Sequence, residues 1–132
     1  KIPFNGNDLR LVSENLEGRH VLLLEDDKDV GGLIKLLLER NEMHVTWVEN
    51  TVEAREVLSE NEFDLYVSDI AMPNESGTEF LKELRQNGDV TPAVGISAYS
   101  EYEKEALEAG FNLFFLKPLG LYKINEIKLL LS

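Results

Sequence analysis

From residue 20 onward the chain alternates short unbroken apolar runs with longer amphipathic stretches. Val21–Leu24, Leu65–Val67, Ala93–Ile96 and Leu113–Leu116 have no polar residue between the apolar ones. That is the pattern of strands covered on both faces, not of half-exposed ones. His44–Val48 is β-branched and aromatic and also reads as a strand. After Asp29, a candidate cap, Val30, Leu33, Ile34, Leu37 and Leu38 recur at helical spacing. Thr51 is placed to cap a second helix that buries Ala54, Val57 and Leu58. Met72–Gly77, with Pro and Gly, reads as a loop. Ser76 is placed to cap a third helix with Phe80, Leu81 and Leu84 inward, ended by Asn87–Gly88. A fourth helix runs from Ser100 to Ala109 and stops at Gly110. A fifth spans Tyr122–Leu131, with Ile124, Ile127, Leu130 and Leu131 on its apolar side.

The order is β-α five times. Strands alternating with helices imply a parallel sheet with right-handed crossovers. Five units in 132 residues favour an α/β fold with an open, doubly wound five-stranded parallel sheet over a closed barrel. Residues 1–18 are poorly periodic and read as an N-terminal linker or extension: Lys1–Phe4 closes a strand, Asn5–Asn7 links, and Leu9–Leu16 forms a short helical turn. The regular domain then occupies 19–132, and a start at Lys1 instead of Met reads as a piece of a longer chain.

Charge narrows the function. With 25 acidic and 13 basic residues the formal net charge is −12. That argues against a general nucleic-acid surface and against docking on anionic membranes. The absence of cysteine excludes disulfides, thiolate chemistry and Cys–Zn sites. His20 and His44 are too few for a histidine-based metal centre and read as strand openers. No apolar run reaches the ~18 residues of a membrane span.

The apolar runs share one more property: each ends in a residue that can bind or move charge. Val21–Leu24 runs into Glu25–Asp26–Asp27, Leu65–Val67 through Ser68 into Asp69, Ala93–Ile96 into Ser97, and Leu113–Leu116 into Lys117–Pro118. In a parallel sheet these residues meet at one edge, where ligands bind. Adjacent carboxylates repel unless a cation sits between them, and hard oxygen ligands suit Mg²⁺. Asp69 is a feasible nucleophile toward an activated phosphoryl group, given a metal to reduce repulsion. Asp26 and Asp69 can hold that metal, with a backbone carbonyl nearby. Lys117 at the end of an apolar strand needs a partner; Asp69 is the expected one, replaced by a phosphoryl oxygen after reaction. Pro118 permits a cis peptide that would aim the lysine inward. Ser97 supplies a hydroxyl for a second phosphoryl oxygen. The plainer alternative for each acid is a solvated loop or a helix cap, a role open to Asp27 as well as Asp29.

Taken together, Val21-Leu22-Leu23-Leu24-Glu25-Asp26-Asp27, Tyr66-Val67-Ser68-Asp69-Ile70-Ala71-Met72-Pro73, Gly77, Ile96-Ser97-Ala98 and Lys117-Pro118 resemble the receiver domain of two-component response regulators. The resemblance spans about residues 19–131 and implies a flavodoxin-like (βα)5 fold. It implies that Asp69 accepts phosphoryl from a phosphohistidine. Glu25 and Asp26 form the acidic pair, with Asp26, Asp69 and the Ala71 carbonyl on Mg²⁺ and Glu25 acting through water. Ser97 and Lys117 contact the phosphoryl group, and Ser97 and Phe114 form the switch pair. The implied partner is a histidine kinase or a His-phosphotransfer domain, with no nucleic-acid or membrane contact by the domain itself; a dimer is compatible. The implied location is the cytoplasm. The isolated domain is expected to catalyse only its own phosphorylation and dephosphorylation, so it is not an enzyme on a separate substrate.

Three departures and three alternatives qualify the resemblance. Phe114 stands where Tyr is frequent, so a switch can use ring rotation but no hydroxyl. Ser97 stands where Thr is also common, and the last helix is short after Gly120. Ala71 and Tyr99, two residues beyond Asp69 and Ser97, offer no strong base or water-orienting amide, which implies slow self-hydrolysis. A flavodoxin-like cofactor binder needs a Ser/Thr/Gly phosphate loop where this chain has acids. A phosphatase of the haloacid dehalogenase type needs a second Asp at the position of Ala71. A degenerate receiver serving only as an interaction module would lack one of the charged site residues. Upstream, Lys1–Phe4 resembles the last strand of a histidine-kinase ATP-binding domain, and Leu16–Arg19 the linker before receivers in hybrid sensor kinases. That places the domain at the C-terminus of such a kinase; a conventional response regulator without its output domain is the alternative.

Overall fold

The unbroken apolar runs become the strands of one parallel sheet, buried because helices cover both faces. The computed structural model describes residues 18–132; the strand, linker and helical turn expected between residues 1 and 16 lie outside the described residues. The elements are β1 (His20–Leu24), α1 (Lys28–Glu39), β2 (His44–Val48), α2 (Thr51–Leu58), β3 (Leu65–Asp69), α3 (Gly77–Gln86), β4 (Ala93–Ser97), α4 (Glu103–Ala109), β5 (Leu113–Leu116) and α5 (Lys123–Leu131). The spatial order is β2-β1-β3-β4-β5, every neighbouring pair parallel. The winding reverses between β1 and β3, so the crevice of a doubly wound sheet opens at their carboxyl ends.

Strand pleating sorts the core into two layers. Val21, Leu23, Val67, Ile96 and Phe115 face α1 and α5, meeting Ile34, Leu38, Ile124 and Ile127. Leu22, Leu24 and Tyr66 face the other side, meeting Ala54, Phe80, Leu81 and Ala106. His20 and His44 open β1 and β2, pair in register and stack with ring centroids 5.0 Å apart.

Several local expectations are corrected. Of the two acids open to capping α1, Asp27 does so, its side chain accepting from the Asp29 and Val30 amides at 2.9 and 3.0 Å. The helix begins at Lys28, so Asp29 is itself one of the donors needing a partner. Likewise Asn50, not Thr51, caps α2 by accepting from the Glu53 amide. Ser76 does cap α3, in a reciprocal box with Glu79. The stretch before α4 tightens into a 3₁₀ turn at Ser100–Tyr102. The final helix starts at Lys123, with Tyr122 just outside it. Leu33, expected inward, is exposed, because it lies on the flank of α1 away from the sheet. Among the described residues no helix is long and apolar enough to cross a membrane.

Candidate functional site

The carboxyl edge gathers the residues that end the apolar runs. Glu25 follows β1, Asp69 ends β3, Ser97 ends β4 and Lys117 follows β5. Their backbones are tied side by side: the Ile70 amide donates to Ile96 O, and the Lys117 amide donates to Ser97 O, both at 2.9 Å. Glu25, Asp69 and Ser97 are buried, whereas Asp26 is exposed. Glu25, Asp26 and Asp69 each offer an oxygen, and these oxygens lie within 4.8 Å of one another. The Lys117–Pro118 peptide is cis.

Lys117 Nζ sits 2.9 Å from Glu25 Oε1 and 3.4 Å from Asp69 Oδ2. Asp69 was the expected partner; Glu25 is the closer one. Glu25 is the more deeply buried charge and has the greater need of a cation. Apart from the Lys117 ammonium, no polar partner among the described residues reaches the buried Glu25 Oε1. Its other oxygen accepts from the Asp27 amide at 3.1 Å.

The electrostatics follow from burial. Burial pushes the Glu25 carboxyl up to about 7, against the pull of Lys117 and the Asp27 amide. Asp69 is also raised by burial, again opposed by Lys117. Burial works against the Lys117 ammonium, but Glu25 and Asp69 outweigh it and its pKa rises. Three carboxylates sharing one lysine carry uncompensated negative charge at neutral pH. Three carboxylates with one ammonium between them, in an all-oxygen set open to solvent through Asp26, fit a hard divalent cation.

The surroundings constrain Asp69 closely. Gly77 opens α3 against it: a Cβ there would lie 2.2 Å from the Asp69 backbone oxygen and 2.7 Å from Ser68 Oγ. Ser68 Oγ donates to that same Asp69 oxygen at 2.9 Å. Ser97 Oγ accepts from the Tyr99 amide at 3.0 Å. Ala71 lies exposed in the loop two residues past Asp69. Phe114 is half-buried on β5, two strands from Asp69 with β4 between them. It borders a surface cavity of about 280 Å³ with Ser100, Glu103, Leu116, Tyr122 and Lys123. Trp47 was not singled out from the sequence, yet its indole Nε1 donates to the Glu25 carbonyl at 2.9 Å. The available signal was a lone tryptophan on a strand ending near the acidic run, which no spacing rule singles out.

An open five-stranded sheet with this acidic, lysine-bearing edge defines a phosphoacceptor signalling module. The comparisons agree: the family model described as the response regulator receiver domain matches residues 21–128. The chain belongs to the receiver domains of two-component response regulators. It is 32% identical over 108 residues to the response regulator protein PilR of Pseudomonas aeruginosa, covering 80% of this chain and 24% of PilR. It is 31% identical over 129 residues to the autoinducer 2 sensor kinase/phosphatase LuxQ of Vibrio vulnificus, covering 96% of this chain and 15% of LuxQ. The chain thus spans only a small part of these relatives.

Among solved structures, the Francisella response regulator 1452 receiver domain superposes with a TM-score of 0.78 at 29% identity, covering 86% of this chain and 96% of that one. The receiver domain of sensor histidine kinase PA1611 from Pseudomonas aeruginosa, described with a magnesium ion coordinated in its active-site cleft, gives a TM-score of 0.74 at 24% identity. It covers 84% of this chain and 94% of that one.

Proposed function

We propose that Asp69 is the phosphoacceptor. The observation that carries this is the buried Asp69 carboxylate at the end of β3, with Lys117 Nζ 3.4 Å away and two further carboxylates gathered beside it. An Asp69 oxygen attacks phosphorus, the bond from phosphorus to the donor imidazole nitrogen breaks, and Asp69 becomes an acyl phosphate. Lys117 moves its charge from Asp69 and Glu25 toward the phosphoryl oxygens, and the Ser97 hydroxyl donates to another. Glu25, Asp26 and Asp69, with the Ala71 carbonyl, would hold Mg²⁺, Glu25 through water. When bound, the ion would neutralise the carboxylates and the incoming phosphoryl charge. The donor set and the magnesium described for the PA1611 receiver domain support this assignment.

The output is a shift between two conformers, with Ser97 moving toward the phosphoryl group and Phe114 turning into the space released. The half-buried ring beside a surface cavity supports that motion. Residues 19–132 form the receiver domain and 1–18 its linker. The domain is not an enzyme on a separate substrate and acts in the cytoplasm with a histidine kinase or His-phosphotransfer domain, with room for a dimer. Its place is in a hybrid sensor kinase, a reading supported by the match of 96% of this chain to the sensor kinase/phosphatase LuxQ.

The test is incubation with Mg²⁺ and acetyl phosphate or phosphoramidate, followed by intact mass. A phosphate-sized gain that vanishes in Asp69→Ala supports the assignment. No gain in the unmodified protein overturns it in favour of an interaction module.

A further inference from the structure

The acidic loop is held from β2 as well as from its own strand. The Glu25 amide donates to Val48 O at 3.0 Å, and the Glu25 carbonyl accepts from Trp47 Nε1 at 2.9 Å. The second bond matters most, because that carbonyl belongs to the peptide joining Glu25 to Asp26. A peptide group is planar, so a fixed carbonyl also fixes the direction in which Asp26 leaves Glu25. Asp26 is the exposed member of the carboxylate cluster and, among the hydrogen bonds of the described residues, its side chain has none.

The indole is seated by a second feature. A Cβ on Gly31 would lie 2.1 Å from Trp47 Cζ2 and 2.4 Å from Cε2. Gly31 sits in the first turns of α1, where glycine is the poorest helix former after proline and no turn requires it. Its missing side chain makes room for the ring, and the ring in that room reaches the Glu25 carbonyl. Gly32, the next residue, has no atom within 4 Å of where its Cβ would be; the space requirement belongs to Gly31 alone of the two.

We infer that Trp47 is a positioning residue for the metal-binding carboxylates, seated by Gly31 and acting through the Glu25–Asp26 peptide. The inference rests on the reading of Glu25, Asp26 and Asp69 as the Mg²⁺ site. An aligned peptide removes an ordering cost that metal binding would otherwise meet. Trp47 is also the single tryptophan of the chain, so emission excited at the red edge of protein absorbance reports on this contact alone.

The experiment measures the Mg²⁺ dissociation constant of the 132-residue protein by calorimetry, with melting of the metal-free protein alongside. Trp47→Phe keeps a ring against Gly31 and removes the N–H. Its Mg²⁺ dissociation constant is expected to rise about 5- to 10-fold, in the range for loss of a hydrogen bond that orients a metal ligand. Gly31→Ala keeps the N–H and displaces the ring; it should weaken Mg²⁺ in the same direction and carries the test if Trp47→Phe does not fold. In the unmodified protein Mg²⁺ should change the Trp47 emission with the calorimetric midpoint, and Asp26→Asn should abolish both signals. Dissociation constants within twofold of the unmodified protein in both variants, whatever their melting, would reduce Trp47 to a packing residue and overturn the inference while leaving the site reading intact. Failure of the unmodified protein to bind Mg²⁺ would overturn the site reading and the inference with it.

Discussion

Replacing Gly77 with alanine should both destabilise the domain and disarm Asp69. The new Cβ would stand 2.2 Å from the Asp69 carbonyl oxygen and 2.7 Å from Ser68 Oγ, where real Cβ atoms stay beyond 3.0 Å. The first obstacle is backbone and cannot swing aside. The first turn of α3 cannot retreat freely either, because the Gly77 amide donates to Ile70 O at 2.9 Å. Either α3 or the Asp69 peptide must therefore shift by close to an ångström. Overpacking of this kind costs about 1–3 kcal/mol, a fall of roughly 4–12 °C in melting midpoint for a domain of this size. A misplacement of about 1 Å at a reacting group can cost on the order of 100-fold in rate, so phosphorylation by acetyl phosphate should slow by about 10- to 100-fold. Gly32→Ala is the control. It lies in α1 with open space around its Cβ, so it should stabilise by about 0.5–1 kcal/mol. The assay is thermal melting of the three proteins beside a mass-resolved phosphorylation time course. Gly77→Ala melting at or above the unmodified protein, and accepting phosphoryl at the same rate, would refute the argument from close approach.

Four further outcomes are expected. Burial raises the Glu25 pKa from 4.5 to about 7; a raised carboxyl pKa contributes stability below its unfolded value that is lost as pH rises through the folded one. Without Mg²⁺ the melting midpoint should therefore decline between pH 4.5 and about 7, and saturating Mg²⁺ should restore it most at the upper end; melting that is flat with pH in both series would contradict this. Lys117→Met strands Glu25 and Asp69 as buried charges, a loss of about 3 kcal/mol at neutral pH that denaturant titration should find much smaller near pH 5. Ala71→Asn should hasten decay of the acyl phosphate, followed by mass after excess phosphodonor is removed; an unchanged lifetime would count against slow hydrolysis arising from Ala71. Tyr66→Phe removes a hydroxyl that donates to Asp89 Oδ2 at 2.5 Å and should cost about 1–2 kcal/mol in chemical denaturation.

The strands and the site's cast were legible because their signals are local or fall at strand ends. A run such as Val21–Leu24 is apolar throughout only if both faces are covered, and it says so without any neighbour in view. The residues after such runs meet at one edge by topology alone, so Glu25, Asp26, Asp69, Ser97 and Lys117 could be grouped before any coordinate was known. Helix caps were less legible. Asp27 and Asp29 have the same chemistry two residues apart, and only the true start of α1 decides which accepts and which donates. Leu33 kept the right period yet is exposed, because helical spacing defines a stripe and only packing against the sheet decides which of its members are covered.

The architecture, and the meeting of Glu25, Asp26, Asp69 and Lys117 at one sheet edge, could be read from the residues alone. The first follows from periodicity and the second from strand topology; the roles of those residues came from the resemblance to receiver domains. Tertiary structure alone decided that Lys117 lies closer to Glu25 than to Asp69, that Gly77 presses on the Asp69 carbonyl, and that Trp47 reaches the Glu25 carbonyl across a space left by Gly31. Each depends on distances of a few ångströms between segments remote in the chain. Those distances are set by packing the whole domain, and no local pattern encodes them.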